Sequence, residues 1–196
     1  MNSFEVREKR KHVLNEFQRS VIIGTILGDG HLLQTTRGYC LRLNHGIKQR
    51  EYVDWKHSVL EDIAMPPKIY KNSYHFRTVS HPMMTKLRNQ FYRGREKVVP
   101  DTLGILINPI ALAVWIMDDG TNELGYSRCV RINTQCFSLE DHLKLIRILE
   151  TNFGIGATLN RDKGKFRLRI RKESMALLRS LTGPYTIPSM FYKISP

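Results

Sequence analysis

The feature that most constrains this chain is that it repeats itself. Cys40-x-Arg42-x-Asn44 recurs as Cys129-x-Arg131-x-Asn133, 89 residues later. The same spacing carries Glu51 onto Glu140, Leu60 onto Leu149 and Glu61 onto Glu150. Gly28-Asp29-Gly30 matches Asp118-Asp119-Gly120 at 90, and Met84-x-x-Leu87-Arg88 matches Met175-x-x-Leu178-Arg179 at 91. Matches that run in one order at nearly one offset mark a duplicated unit. In 196 residues there is room for two copies of about 90 and no more. The pattern divides the chain into a basic extension over 1–13 and subdomains over 14–104 and 105–196. Each copy reads helix, strand, strand, helix, strand, strand, helix, so the expected fold is α+β, with two αββαββα subdomains about a pseudo-twofold axis.

Both copies open on an apolar helix. Asn15 can cap the first, with Gln18 three residues on as its capping-box partner. Asn108 caps the second, where Pro109 suits the first turn. Val21-Ile22-Ile23-Gly24-Thr25-Ile26-Leu27 and Ala111-Leu112-Ala113-Val114-Trp115-Ile116-Met117 are apolar nearly all round, the signature of buried helices. Gly24, Ala111 and Ala113 are small enough to let the two approach closely. Packed about the pseudo-twofold axis, their C-terminal ends would bring Asp29 and Asp119 together.

Charge is distributed as unevenly as the apolar residues. The chain carries 31 Lys+Arg against 18 Asp+Glu, a net charge of +13, which points to a polyanionic partner. No acid lies between Asp29 and Glu51 or between Asp62 and Glu96. Acids gather on segments with helical spacing, around Val53, Val59, Leu60 and Ile63 and around Leu143, Ile146 and Leu149. Acid-free stretches read as strands, and Lys165-Phe166-Arg167-Leu168-Arg169-Ile170-Arg171 alternates strictly, placing its bases on one face. A solvated sheet face would look the same in a single strand. Several such strands in one basic chain read as a polyanion-binding surface.

The two aspartates run against this charge pattern. A carboxylate at a helix C-terminus meets the negative end of the helix dipole, and two brought close repel further. Gly-Asp-Gly and Asp-Asp-Gly are also common helix-ending turns. Their equal positions in a repeat favour a role in chemistry, with hard oxygen ligands for Mg²⁺ between them and phosphodiester cleavage as the reaction class.

Ile22-Ile23-Gly24-Thr25-Ile26-Leu27-Gly28-Asp29-Gly30 and Leu112-Ala113-Val114-Trp115-Ile116-Met117-Asp118-Asp119-Gly120 resemble the paired signature of LAGLIDADG homing endonucleases, in the single-chain, two-motif branch. Val114 stands where the family has a small residue. The resemblance implies that Asp29 and Asp119 bind Mg²⁺, helped by the backbone carbonyls of Gly28 and Asp118, the Asp118 side chain being structural. Mn²⁺ is expected to substitute, and Ca²⁺ to bind without supporting cleavage. Lys97 and Lys193 would each sit in one active pocket, with Gln135 beside them. Two curved antiparallel sheets would form a saddle over duplex DNA. The candidate readers in the first half are Arg37, Tyr39, Arg42, Lys68, Lys71, Tyr74 and Arg77. In the second they are Arg128, Arg131, Arg161, Lys163, Lys165, Arg167, Arg169 and Arg171.

On this reading the chain is a monomeric nuclease that cuts both strands of one long, nearly asymmetric site. The alternative is a maturase that binds intron RNA on the same scaffold; retention of both acids and both lysines favours the nuclease. No apolar run reaches the roughly 18–20 residues that span a bilayer, and residues 1–11, with Glu5 and Glu8 among the bases, read neither as signal nor as transit peptide. Three unpaired cysteines, Cys40, Cys129 and Cys136, suit a reduced intracellular compartment.

Overall fold

Asn15 and Asn108 begin the two long apolar helices, α2 (Glu16–Leu27) and α6 (Pro109–Asp119). The Asn15 side chain accepts from the Gln18 amide at 2.8 Å while the Asn15 N–H donates to Gln18 Oε1 at 3.1 Å, a complete capping box. Asn108 Oδ1 accepts from the Ala111 amide at 3.0 Å, and its Nδ2 donates to Ser20 Oγ at 2.8 Å, tying the start of one helix to the flank of the other. The computed structural model describes residues 3–122 and 129–195.

α2 and α6 pack against each other and are buried almost throughout. Contact is closest where α2 has no side chains. A Cβ on Gly24 would lie 2.4 Å from the Ala111 carbonyl oxygen and 2.7 Å from Val114 Cβ, and one on Gly28 would lie 2.4 Å from Asp118 Cβ. Val114 therefore does not hold the helices apart, because Gly24 opposite it provides the space.

The first half contributes β1 (His31–Thr35), β2 (Gly38–Gly46), α3 (Arg50–Val59), β3 (Lys68–Tyr70), β4 (Ser73–Arg77) and α4 (Pro82–Phe91). After a short hairpin, β5 (Tyr92–Arg93) and β6 (Glu96–Lys97), and a helical turn, α5 (Leu103–Leu106), comes α6. β7 (Gly120–Asn122), β8 (Val130–Ile132), α7 (Leu139–Phe153), β9 (Ala157–Asp162), β10 (Lys165–Ile170) and α8 (Met175–Thr182) then follow. The two main sheets are antiparallel with orders β1-β2-β4-β3 and β7-β8-β10-β9, one topology used twice. The extension that precedes the first half is itself helical, α1 (Ser3–Lys11), and straps back onto it: Arg10 donates to the carbonyls of Ser80 at 3.2 Å and Arg37 at 3.3 Å, and Lys9 to that of Glu61.

Register separates the faces. Leu41, Leu43, Phe76, Ile132, Leu168 and Ile170 are buried in the core against the helices. Because side chains alternate along a strand, Arg42, Arg77, Arg131, Lys165, Arg167 and Arg169 lie on the opposite face. Three expected readers do not. Tyr74, opposite His45, is buried in the core and its hydroxyl donates to Asp54 Oδ1 at 2.7 Å. Tyr39 shares the parity of Leu41 and packs against the core, with the Arg88 guanidinium 5.4 Å from its ring centroid. Arg161 pairs with Phe166, whose face it shares, and its guanidinium lies 5.8 Å from that ring. Side chains that do share the basic face include His31, Asn44, His75 and Asn160, which registry places opposite Arg42, His75, Lys68 and Arg167 respectively.

The Gly24 contact is with backbone, which cannot step aside. Gly24→Ala, which would stabilise an exposed helix, should here destabilise by about 2 kcal/mol through overpacking. Its melting midpoint should fall by about 4–8 °C. A midpoint equal to or above that of the unmodified protein would show that the helices are not in backbone contact there.

Candidate active site

The ends of α2 and α6 meet at a cleft of about 860 Å³ lined by Gly28, Asp29, Gly30, His31, Lys97, Asp119, Asn133, Gln135 and Cys136, among others. The cleft thus collects Asp29 and Asp119 together with two of the residues expected beside them, Lys97 and Gln135. β6 places Lys97 so that its ammonium donates to the Gly28 carbonyl at 2.8 Å. Lys193 comes from the C-terminal segment Pro188–Lys193 and donates to the Asp118 carbonyl at 3.3 Å. Each lysine therefore caps the last carbonyls of one motif helix, where positive charge offsets the dipole. Gln135 lines the cleft while its amide donates to Asp162 Oδ2 at 2.9 Å; Asp162 also pairs with Arg167 at 3.4 Å.

Burial and proximity act together on the carboxylates. Burial, then the charges of Asp29 and Asp118, push Asp119 up to about 8, against an ordinary value of 3.8. Asp29 is also raised, first by burial and then by Asp118, with the Lys56, Lys193 and Lys97 charges opposing. Burial holds the Lys97 ammonium below its ordinary range, although the nearby acids oppose this. The two acids thus favour a positive partner, and the donor set of two carboxylates and two main-chain carbonyls suits a hard divalent cation.

Asp118 has a larger part than the sequence suggested. Its side chain is buried, and Lys56 Nζ, itself wholly buried on α3, lies 2.7 Å from Oδ1. Oδ2 accepts from the Asp29 amide at 3.3 Å. His45 sits between them, with Nδ1 3.7 Å from Asp29 Oδ2 and 3.1 Å from Gln49 Oε1, and Nε2 3.8 Å from Asp118 Oδ1. Burial, reinforced by Lys56, lowers His45 to about 4, so the ring is neutral at physiological pH. Asp29, His45 and Asp118 could converge on a metal ion, but Lys56 already gives Asp118 the positive charge that an ion there would bring. Sequence reasoning missed Lys56 and His45. The one available signal was that they break the repeat, since the matching positions are Leu145 and Thr134.

The remaining predicted readers are spread along the basic face and its edges. Arg42 opposes Arg77 across the first sheet and Arg131 opposes Arg169 across the second, so each half has one cross-strand arginine pair at a matching position. Like charges directly opposite destabilise a sheet on their own account. Lys71 and Lys163 occupy the turns of the β3–β4 and β9–β10 hairpins, both at positive φ (52° and 48°). Arg37 lies in the β1–β2 turn, exposed Lys68 begins β3, and Arg171 follows β10, its amide donating to the Gly156 carbonyl at 2.9 Å. Arg128 lies outside the described residues. No helix among the described residues is long and apolar enough to cross a membrane.

Similarity to known proteins agrees with this layout. Residues 19–178 match the model of the LAGLIDADG DNA endonuclease family. The solved structure of the homing endonuclease I-WcaI bound to its DNA recognition sequence superposes with a TM-score of 0.86 at 27% identity, over 96% of this chain and 90% of that one. A probable intron-encoded endonuclease 1 of Wickerhamomyces canadensis is 27% identical over 98% of this chain and 91% of its own length. Cytochrome b mRNA maturase bI2 of Saccharomyces cerevisiae is 30% identical over 89% of this chain, which spans about half (46%) of the maturase's length.

The raised Asp119 value sets the sign of a stability effect. Because its folded pKa exceeds its unfolded one, the native state binds more protons between about pH 4 and 8, and stability falls as pH rises through that window. In EDTA at pH 8.5, Asp119→Asn should therefore be more stable than the unmodified protein by about 1–2 kcal/mol after solvent screening. The melting gap, about 3–6 °C, should shrink as pH falls and close near about pH 4. A variant no more stable at pH 8.5 would contradict the assigned repulsion.

Proposed function

The chain belongs to the LAGLIDADG DNA endonuclease family, and on that premise we propose that it cuts both strands of one long, nearly asymmetric duplex DNA site, with a divalent cation as cofactor. The observation that carries this reading is the pairing of Asp29 and Asp119 at equivalent helix ends, in a cleft flanked by two basic sheets of one topology. Two motifs in one chain make a monomer sufficient. A cation held by Asp29, Asp119 and the carbonyls of Gly28 and Asp118 would supply Lewis acidity toward the phosphate and lower the pKa of a water. Mg²⁺ is the proposed physiological ion, Mn²⁺ a substitute, and Ca²⁺ a ligand that does not support cleavage.

The chain's own residues perform the rest. Each aspartate serves one scissile phosphate. The ammoniums of Lys97, in the cleft, and Lys193, on the Asp118 carbonyl, would orient water or offset charge on the phosphate. The arginines and lysines of the basic face hold the duplex, mostly through phosphates and in part by reading guanine edges. A second reading, an RNA-binding maturase, is favoured by the likeness to bI2; the presence of Asp29, Asp119, Lys97 and Lys193 together supports cleavage over it.

Selection of cleaved sequences from a randomised duplex library in Mg²⁺ separates the two readings and yields the target. On that target, Asp29→Asn or Asp119→Asn should reduce double-strand cleavage at least about a thousandfold, as loss of groups acting on the transition state does, with the dissociation constant in Ca²⁺ changed by no more than a few fold. Full cutting by the double variant would overturn the role of the acids. Affinity should also fall steeply with salt, since each neutralised phosphate releases counterion with a log–log slope of about 0.9. Arg42→Ala and Arg131→Ala should each reduce that slope by about 1. A flat salt dependence would remove the basic face as the binding surface.

A further inference from the structure

The two copies differ in a way that compensates across the molecule. Where the first motif ends in Gly28-Asp29, the second ends in Asp118-Asp119. Where α7 buries Leu145, the matching position of α3 buries Lys56. The acid added to one half is thus paired with a base added to the other, at 2.7 Å and out of contact with solvent. Lys56 also lies 4.4 Å from the centroid of the Tyr52 ring, and the Tyr52 hydroxyl donates to the α6 carbonyl of Val114 at 3.2 Å.

We propose that Lys56 is a positioning residue for cleavage: through Asp118 it fixes the Asp29 end of α2 against the Asp119 end of α6. This rests on the cleavage reading of the same site. Each link is short. Lys56 holds Asp118 Oδ1, Asp118 Oδ2 holds the Asp29 amide, and the Asp118 carbonyl receives Lys193. The carboxylate packs directly on Gly28, where an added Cβ would lie 2.7 Å from Oδ2.

Stability alone is a poor reason for such a pair. Apolar residues of similar volume often replace a buried ion pair at no loss, and Leu145 shows that this helix position serves the fold with an apolar side chain. The strut is also one-sided. A mirror contact to the Asp119 amide would have to come from Gly28, which has no side chain to make it. Lys56 therefore acts chiefly on the centre served by Asp29.

The test uses Lys56→Met and the charge-neutral double variant Lys56→Met/Asp118→Asn, on the DNA selected by the unmodified protein. The single variant strands a buried carboxylate and should melt well below the unmodified protein; the double variant should melt within a few degrees of it. Both should bind DNA in EDTA with unchanged affinity and lose part of the affinity gained on adding Ca²⁺, a readout independent of turnover. In Mg²⁺ the double variant should linearise DNA at least tenfold more slowly and accumulate a nicked intermediate. The strand left intact should be the one left intact by Asp29→Asn.

Cleavage of both strands at the unmodified rate would overturn the proposal. So would equal slowing on both strands together with lost melting midpoint or lost affinity in EDTA, the marks of a structural role. If the unmodified protein selects and cuts no DNA, the cleavage reading itself fails, and this inference with it.

Discussion

The rest of the molecule depends on the backbone contact between α2 and α6. At Gly24 the helices touch without an intervening side chain, and at Gly28 the contact extends to their last turns. This closeness has two consequences. It joins the apolar interiors of both halves into one main core, in which Ile22 and Ile26 meet Leu112, Trp115 and Ile116. It also leaves the C-terminal ends of both helices side by side, where dipoles and acids are all unfavourable to one another. A looser helix pair would keep most of the apolar burial but would separate Asp29 from Asp119.

The structure contains that repulsion without removing it. Lys97 and Lys193 cap opposite helix ends, one reaching from the hairpin before α6 and the other from the C-terminal segment. Lys56 pairs with Asp118 out of contact with solvent, although the Asp118 charge still raises both Asp29 and Asp119. What remains uncompensated is confined to the two side chains facing the cleft, where burial and mutual charge hold Asp119 up to about 8. Destabilisation kept at so few atoms is tolerable in a domain whose net stability is only about 5–15 kcal/mol.

Much of this was legible in the sequence because it depends on periodic or local signals. The offset of 89–91 announced two copies, the Asn15 and Asn108 caps fixed where the central helices start, and Gly24 foretold their close approach. Faces of strands were less legible. Tyr39 and Tyr74 belong to acid-free strands and Arg161 to a strand whose one acid, Asp162, ends it, but parity relative to buried neighbours, and not composition, decides which way a side chain faces. The wholly buried Lys56 was legible only as a break in the repeat, opposite Leu145. A lysine on an amphipathic helix reads as solvated, and only its partner 62 residues away explains its burial. The strap made by α1 and the β5–β6 hairpin that presents Lys97 likewise depend on tertiary contacts that no local pattern encodes.

The two unfavourable features of the free protein are opposite in sign and adjacent in space. Cross-strand arginine pairs, Arg42 with Arg77 and Arg131 with Arg169, gather positive charge along the face, while the cleft beside it holds two acids whose charged forms burial and mutual charge disfavour. On the proposed reading a polyanion would relieve the first and a cation the second, and each would attract the other. A bound phosphate would raise the negative potential at Asp29 and Asp119 and so favour a cation there, and a bound cation would return that favour to the phosphate. By linkage each must strengthen the other's binding by the same factor.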